Sequence, residues 1–135
     1  MDIRYERTAP TEGNDITALY ENAGWTVYTG NPMKLLKAIG NSREVYSAYS
    51  GNMLVGLART VGDGESITYI QDILVHSDFR KRRIGTTLMD MIFEDNGDVN
   101  SIVLLTDIDG VTDAFYRSNG FREVGELGCR AFIRK

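Results

Sequence analysis

Apolar residues in the first forty positions recur at the spacing of amphipathic helices. Residues 11–23 carry them three or four positions apart and are followed by Gly24, which predicts a helix that ends at the glycine. Pro32 opens a second predicted helix, which ends at Gly40. Residues 2–7 are expected to form a short strand. The segment between the two helices, which carries Trp25, Val27 and Tyr28, is expected to be a loop.

The middle of the chain changes to the pattern of β-strands. Residues 43–50 and 53–61 are two predicted strands, and the Ser-Gly-Asn sequence of residues 50–52 predicts a tight turn that joins them as a hairpin. Residues 66–75 form the next predicted strand. Its last positions, 73–75, are apolar on both faces, as expected for a strand in the centre of a sheet.

A helical pattern then separates two apolar strands. Residues 83–95 carry apolar positions at i, i+4, i+7 and i+8, and residues 102–105 are a short apolar run. A strand, a helix and a second buried strand predict a parallel unit with a right-handed crossover.

The last part of the chain predicts one more helix and two closing strands. The helix covers residues 110–119, and the strands cover residues 121–124 and 129–133. The side chains expected to face inward from this helix are Val111, Ala114, Phe115 and Ser118. The whole pattern predicts one α+β domain over residues 1–135.

Composition narrows the possible classes of protein. The chain is 42% hydrophobic and 25% charged, which is typical of a globular domain rather than a disordered one. A net charge of −4 argues against broad nucleic-acid binding. No apolar run is long enough to span a membrane, and the first residues show no signal peptide. We therefore expect a soluble, cytoplasmic protein without nucleic-acid or membrane partners.

Four consecutive cations, residues 80–83, follow the strand that ends at Val75. A charge run is often only solvated surface. This run, however, lies just before a predicted helix, whose free N–H groups and positive dipole end attract anions. Gly85 would let the backbone approach such an anion closely. Neither the Walker A pattern nor the GxGxxG pattern is present, so a phosphate ligand other than their usual nucleotides is expected.

This stretch resembles the central motif of the GNAT superfamily of N-acetyltransferases, [QR]-x-x-G-x-[GA] after a strand ending in Val. Arg80 takes the first place and Gly85 the last, whereas Arg83 replaces the middle glycine. That replacement is tolerable if Arg83 adopts ordinary helical backbone angles. The resemblance implies a GNAT-like mixed central sheet, with an antiparallel N-terminal hairpin and a parallel crossover around an acetyl-CoA helix. Within the superfamily, the chain resembles a small single-domain member, somewhat like the arylalkylamine-type acetyltransferases.

The resemblance also implies where acetyl-CoA binds. Backbone N–H groups from Lys81 to Thr86 would hold the pyrophosphate, and the backbone of Ile73 to Val75 would pair with the pantetheine arm like an added strand. The implied cofactor-binding residues are Ile73, Leu74, Val75, Arg80, Lys81, Arg82, Arg83, Ile84, Gly85, Thr86 and Asp109.

The segment from Asp109 to Phe121 is similar to the late helix of the same family, N-x-x-A-x-x-x-Y-x-x-x-G-F. In this register Asp109 takes the place of the usual Asn, and Gly120-Phe121 matches the end of the motif. The resemblance makes Tyr116 the general acid that protonates the departing CoA thiolate. The alternative is a half-buried tyrosine whose hydroxyl only meets a backbone carbonyl.

Asp72 lies inside the apolar strand, where a carboxylate is costly unless it is paired or used. It is a candidate general base for the acceptor amine, which must lose a proton before it attacks the thioester. The alternative is an ion pair, with Arg59 on the neighbouring strand as the candidate partner.

Four further residues, of types that often act in binding or catalysis, lie outside these motifs. Trp25 and Tyr28 would form an aromatic wall of the acceptor site, or else simply pack in the core. The chain has one histidine, His76, which is expected to be exposed and without a role, and one cysteine, Cys129, which is expected to be buried in a closing strand. No metal site is expected.

These features together predict an acetyl-CoA-dependent N-acetyltransferase. The acceptor, a primary amine of unspecified kind, would attack acetyl-CoA directly in a ternary complex. A non-catalytic acyl-CoA-binding or regulatory module on the same fold is the alternative. A homodimer is a further possibility, since members of the family are often dimers.

Overall fold

The computed structural model describes residues 2–135 of the chain. The chain divides into two compact units, the first ending at Leu105 and the second covering Thr106–Lys135. The strands are β1 (Ile3–Glu6), β2 (Glu44–Ser50), β3 (Met53–Gly62), β4 (Ile67–Val75) and β5 (Ser101–Val103). The helices are α1 (Gly13–Asn22), α2 (Thr26–Thr29), α3 (Pro32–Gly40), α4 (Ile84–Asp95) and α5 (Gly110–Ser118). Short 3₁₀ turns cover Ser77–Phe79 and Val124–Leu127.

The first unit is built on one five-stranded sheet with the order β1-β2-β3-β4-β5. Neighbouring strands are antiparallel except β4 and β5, which are parallel and are joined through α4. The predicted α+β architecture, the hairpin of β2 and β3 and the parallel crossover are therefore confirmed. The expectation of a single domain stays a prediction beside the two units.

β5 pairs with only the first part of β4. The paired positions are Ile67 with Ser101, Thr68 with Ile102, and Tyr69 with Val103. From Ile70 to Val75, β4 is paired with β3 on one side and has no partner strand in the described sheet on the other. The carboxyl half of β4 therefore has an open backbone edge in the middle of the sheet.

Helices cover both faces of the sheet. On one face, α1 and α3 pack their apolar residues against Leu54, Leu57 and Leu74. Because neighbouring residues of a strand point to opposite faces, Gly56 faces away from Leu57 and toward α4. An added Cβ at Gly56 would lie 2.9 Å from Ile84 Cγ2. The glycine therefore lets the first turn of α4 lie directly on the sheet.

Several sequence predictions are wrong in detail. The segment with Trp25 and Tyr28 contains the short helix α2 instead of a loop throughout. Residues 121–124 and 129–133 form no strands, and residues 124–127 form a 3₁₀ turn. Cys129 is exposed rather than buried. A strand needs a partner for its backbone groups, and the apolar pattern of the closing segments does not supply one.

The inward face predicted for α5 is also wrong in part. Val111, Ala114 and Ser118 are exposed, and only Phe115 of that set is half-buried. None of the described residues of the second unit, 106–135, is buried. Among the helices of residues 2–135, none is long and apolar enough to cross a membrane.

We predict that Gly56→Ala lowers the free energy of unfolding by about 1–3 kcal/mol, because the new methyl group forces α4 away from the sheet. Its Cβ would also lie 3.3 Å from Ala48 Cβ. Gly97→Ala is the matched control, since no atom lies closer than 4.0 Å to its new Cβ. It should change stability by less than about 0.5 kcal/mol. Chemical denaturation measures both, and equal effects would contradict the prediction.

Candidate active site

The 3₁₀ turn after β4, Ser77–Phe79, is held by Asn22 of α1 and by His76, the residue that precedes the turn. The Ser77 N–H donates to Asn22 Oδ1 over 2.8 Å, and Asn22 Nδ2 donates to Ser77 Oγ over 3.0 Å. His76 Nδ1 accepts from the Asp78 N–H at 3.1 Å. His76 is half-buried and caps the 3₁₀ turn, so the expectation that it is exposed is wrong.

The cationic turn contains two residues with left-handed backbone angles. Lys81 and Arg83 both have φ of 62°, and they are the only described non-glycine residues with positive φ. Arg83 has ψ of 19° and immediately precedes α4. Arg83 therefore does not adopt the ordinary helical angles on which its tolerance was made conditional. It keeps the conformation that a glycine would provide at lower cost.

The start of α4 offers free hydrogen-bond donors. The N–H groups of Ile84, Gly85 and Thr86 belong to the first helical turn, where no carbonyl of the same helix can accept from them. No side chain caps this helix. The cations of residues 80–83 are all exposed beside these N–H groups. Free amides, the positive end of the helix dipole and local cations suit a phosphate or pyrophosphate.

Asp72 lies in a buried polar cluster rather than alone. It is 3% exposed, and its register partner on β3 is Arg59, which is 5% exposed. Arg59 Nε donates to Asp72 Oδ2 at 2.6 Å. The Tyr20 hydroxyl donates to the same oxygen at 2.8 Å, and the Tyr28 hydroxyl donates to Oδ1 at 3.0 Å. The ion pair considered from the sequence is therefore present, with two tyrosines added to it.

The cluster keeps its partners in fixed protonation states. Burial raises the pKa of the Tyr20 phenol, and the neighbouring Asp72 carboxylate raises it further, so Tyr20 remains a donor. Burial opposes the charge of Arg59, but the Asp72 carboxylate outweighs it and raises the pKa of the guanidinium. The Asp72 carboxyl group therefore accepts one hydrogen bond from a charged donor and two from neutral donors.

Tyr28 connects this cluster to the surface. Its hydroxyl accepts from Nε2 of the exposed Gln71 at 3.1 Å and from Arg59 Nη2 at 3.4 Å. Trp25 and Tyr28 are half-buried and pack against the core, with ring centroids 5.6 Å and 5.3 Å from that of Tyr20. Core packing, the alternative for this pair, is thus observed, and the role in acceptor binding stays a prediction.

Two members of the cluster were missed by sequence reasoning. Tyr20 lies within the apolar spacing of residues 11–23, which predicts only a buried helix face, and nothing in the sequence singles out Gln71. A tyrosine on a buried helical stripe is a usable signal, because its hydroxyl must find a partner. The partner itself, 52 residues away along the chain, has no sequence signal.

The residues expected to bind the pantetheine arm lie on the open edge of β4. Ile73, Leu74 and Val75 pair with Ala58, Leu57 and Gly56 of β3, and β5 does not extend to them. Leu74 is buried, and Ile73 and Val75 are half-buried. The backbone groups that point away from β3 therefore have no partner strand in the described sheet.

Tyr116 and Asp109 belong to the second unit. Asp109 is the N-cap of α5, and its Oδ1 accepts from the Val111 N–H at 2.7 Å. Tyr116 is half-buried between Phe115 and Phe121, whose ring centroids lie 5.2 Å and 5.8 Å from its own. Burial raises the pKa of the Tyr116 phenol, and a hydrogen bond with Thr106 partly opposes this. The phenol is therefore protonated at neutral pH.

The strand edge left open by β5 thus lies before a helix start that no side chain caps. The chain belongs to the GNAT family of acetyltransferases, since residues 41–123 match its acetyltransferase (GNAT) domain. Among residues 2–135, no group of three or more His, Cys, Asp or Glu side chains is arranged to hold a metal ion.

Related proteins agree with this assignment. The uncharacterized N-acetyltransferase ycf52 of Gracilaria tenuistipitata is 31% identical over 115 residues, which are 80% of this chain and 60% of that protein. Its namesake in Porphyra purpurea is 26% identical over 127 residues, which are 89% of this chain and 70% of that protein. The chain thus spans less than two thirds of the length of the Gracilaria protein.

Solved structures show the same fold over nearly the whole chain. A GNAT-family acetyltransferase from Streptococcus pneumoniae is 30% identical, with a TM-score of 0.88 and coverage of 99% of this chain and 98% of that one. The PaiA N-acetyltransferase of Thermoplasma acidophilum, solved in complex with coenzyme A, is 16% identical, with a TM-score of 0.73 and coverage of 90% and 91%. The second likeness concerns the fold alone.

We predict that Arg83→Gly raises the free energy of unfolding by about 0.5–1 kcal/mol, because the cost of a left-handed side-chain residue exceeds the entropy that glycine loses on folding. Arg82→Gly is the matched control. It removes the same charge from a residue outside the left-handed region, and it should lower stability by about 0.5–1 kcal/mol. Urea denaturation measures the free energy of unfolding of both variants. Equal losses of stability in Arg83→Gly and Arg82→Gly would contradict the prediction.

Proposed function

We propose that this chain is a cytoplasmic N-acetyltransferase that moves an acetyl group from acetyl-CoA to a primary amine by direct attack in a ternary complex. The observation that supports the proposal is the succession of β4, the cationic turn of residues 80–83 and α4. Its open strand edge and its free helix-start amides match the two chemically different parts of coenzyme A. A homodimeric state is part of the same proposal.

Acetyl-CoA would be held mainly by backbone groups. The first-turn amides of α4 would receive the pyrophosphate, with the exposed cations of residues 80–83 adding long-range attraction. The open edge of β4 at residues 73–75 would pair with the amides of the pantetheine arm. A backbone N–H of the same edge would polarise the thioester carbonyl as negative charge develops on its oxygen. Asp109 is the remaining cofactor-binding residue of the proposal, and its side chain caps α5.

Asp72 would accept the proton of the acceptor ammonium. Because Asp72 is buried, the Tyr28 hydroxyl is the group of this cluster that joins it to the exposed Gln71. A proton released by the amine would pass through Tyr28 to the carboxylate, which already has Tyr28 as its donor. The competing role is purely structural, because the ion pair with Arg59 already accounts for the buried charge.

Tyr116 would protonate the sulfur when the tetrahedral intermediate collapses and the carbon–sulfur bond breaks. Because its pKa is raised, the phenol carries its proton at neutral pH and can donate it to the sulfur as negative charge develops there. Trp25 and Tyr28 would give the acceptor site an aromatic wall, which favours amines with an apolar or aromatic part. Release of the CoA thiol with a panel of small amines, aminoglycosides and peptides would test the activity. CoA binding without turnover on any of them would favour a non-catalytic acyl-CoA-binding module.

We predict that Tyr116→Phe lowers kcat about 100-fold while the KM for acetyl-CoA changes little, because the variant loses only the proton donor. Steady-state kinetics with the best acceptor measures both constants. Tyr49→Phe is the matched control, since Tyr49 is also half-buried but lies on β2, with the Arg4 guanidinium over its ring. An unchanged kcat for Tyr116→Phe would exclude the general-acid role.

We predict that Asp72→Asn lowers kcat/KM about 100-fold and shifts or removes the fall in rate on the acidic side of the pH–rate profile. An asparagine cannot accept the proton of the acceptor ammonium, so the pH dependence that remains in the variant is that of the amine itself. Asp78→Asn, at an exposed carboxylate just past β4, is the control and should keep the wild-type profile. A profile for Asp72→Asn that follows the wild type would make Asp72 a structural residue.

A further inference from the structure

β4 departs from regular pairing with β3 at Gln71. Arg59 of β3 pairs with Asp72. The next residue of β3, Thr60, pairs with Ile70, so Gln71 has no register partner in the described sheet. An extra residue of this kind is a β-bulge, which turns a side chain out of the regular alternation of faces. Gln71 and Asp72 consequently contact the same tyrosine hydroxyl, although neighbouring residues of a regular strand point to opposite faces.

The hydrogen bonds of this hydroxyl determine which end of the Gln71 amide faces the cluster. The Tyr28 hydroxyl donates its single proton to Asp72 Oδ1 at 3.0 Å. Its oxygen therefore accepts from Gln71 Nε2, at 3.1 Å, and cannot donate to Gln71 Oε1 at the same time. The Oε1 arm of this exposed amide is thus left for a partner outside the cluster. All of these contacts lie within the first unit.

The part of the chain that carries Tyr28 has no negative charge. Residues 24–43 contain three lysine or arginine residues and neither aspartate nor glutamate. Inside the cluster, the guanidinium of Arg59 balances the carboxylate of Asp72. An amine with several ammonium groups would therefore find no counter-charge on this segment, and its extra charges would be repelled by the cations.

We propose that Gln71 Oε1 accepts an N–H of the acceptor amine, and that this neutral group makes the site selective for amines with a single positive charge. The inference rests on the proposed acetyl transfer, since the amine is its acceptor. An ammonium on Oε1 lies beside the Tyr28 hydroxyl, because the other arm of the same amide contacts that hydroxyl. A carbonyl oxygen binds one N–H donor without attracting further charges. Gln71 is thus a specificity-determining residue of the acceptor site.

The side chain of Gln71 can be observed by itself, because it is the only glutamine of the sequence. Labelling glutamine with ¹³C at the side-chain carbonyl gives one NMR signal, which Gln71→Leu identifies by its loss. The labelled protein is titrated, with CoA present, with benzylamine and separately with benzyltrimethylammonium. Both are cations with the same ring, but only benzylamine has N–H groups to donate. We expect a saturable shift with benzylamine alone. No shift with benzylamine, or equal shifts with both, overturns the proposal.

Steady-state kinetics tests the same residue during turnover. Gln71→Leu should raise the KM for benzylamine about 10-fold and change the KM for acetyl-CoA less than about twofold, because only a hydrogen bond to the ammonium is lost. An unchanged KM for benzylamine overturns the proposal. Absence of CoA release by the wild type with every amine would instead contradict the proposed acetyl transfer. The NMR titration needs no turnover, so it decides the role of Gln71 in either case.

A charge placed at the same position tests the selectivity. Gln71→Glu should raise kcat/KM for spermidine relative to benzylamine about 10-fold, because the new carboxylate attracts the additional ammonium groups. Asn52→Glu is the matched control, since it adds the same charge at an exposed residue of the turn between β2 and β3. It should leave the ratio of the two amines as in the wild type. A wild type that prefers spermidine, or equal ratios in the two variants, overturns the selectivity.

Discussion

The buried ion pair between Arg59 and Asp72 is the interaction on which the candidate site depends. It lies at a register position shared by the two central strands, and its carboxylate also accepts from tyrosines on α1 and α2. Removing one partner of such a pair typically costs about 3–5 kcal/mol, because the other charge is left buried and uncompensated. One carboxylate thus fixes the position of two helices relative to the sheet.

In this arrangement the two carboxylate oxygens of Asp72 have both a structural and a proposed chemical role. The hydrogen bonds that hold Asp72 in the fold end on the same two oxygens that would receive the proton of the acceptor. Asp72 is therefore either a base reached through Tyr28 or the electrostatic centre of the fold, and the geometry is compatible with both roles.

The sequence was sufficient for the parts of the fold that depend on local pattern. The spacing of apolar residues gave the helices α1, α3 and α4, and the apolar end of β4 gave the central strand and the crossover. The closing strands were predicted wrongly because the residues of 129–133 record only a preference for pairing, whereas a strand also needs an available edge. Pattern cannot show whether that edge comes from the same chain or from another one.

The backbone conformation of single residues was the second feature that the sequence did not predict. Arg83 has left-handed backbone angles that a bulky side chain disfavours, so its residue type favours the helical angles that the structure does not show. The motif position was the better guide, because the turn needs that backbone shape whichever residue occupies it. The hydroxyl partners of Tyr20 and Tyr28 were likewise beyond prediction, since they depend on contacts distant in sequence.

The hydroxyl of Tyr28 has a further consequence for the acceptor site. A phenol has one proton to donate and two lone pairs to accept with. Its proton goes to Asp72, and its lone pairs receive Arg59 and Gln71. The hydrogen-bonding capacity of Tyr28 is therefore full. A new donor, such as an approaching ammonium, can bond to this oxygen only by exchange, and the exposed Gln71 amide is the partner that water can most easily replace.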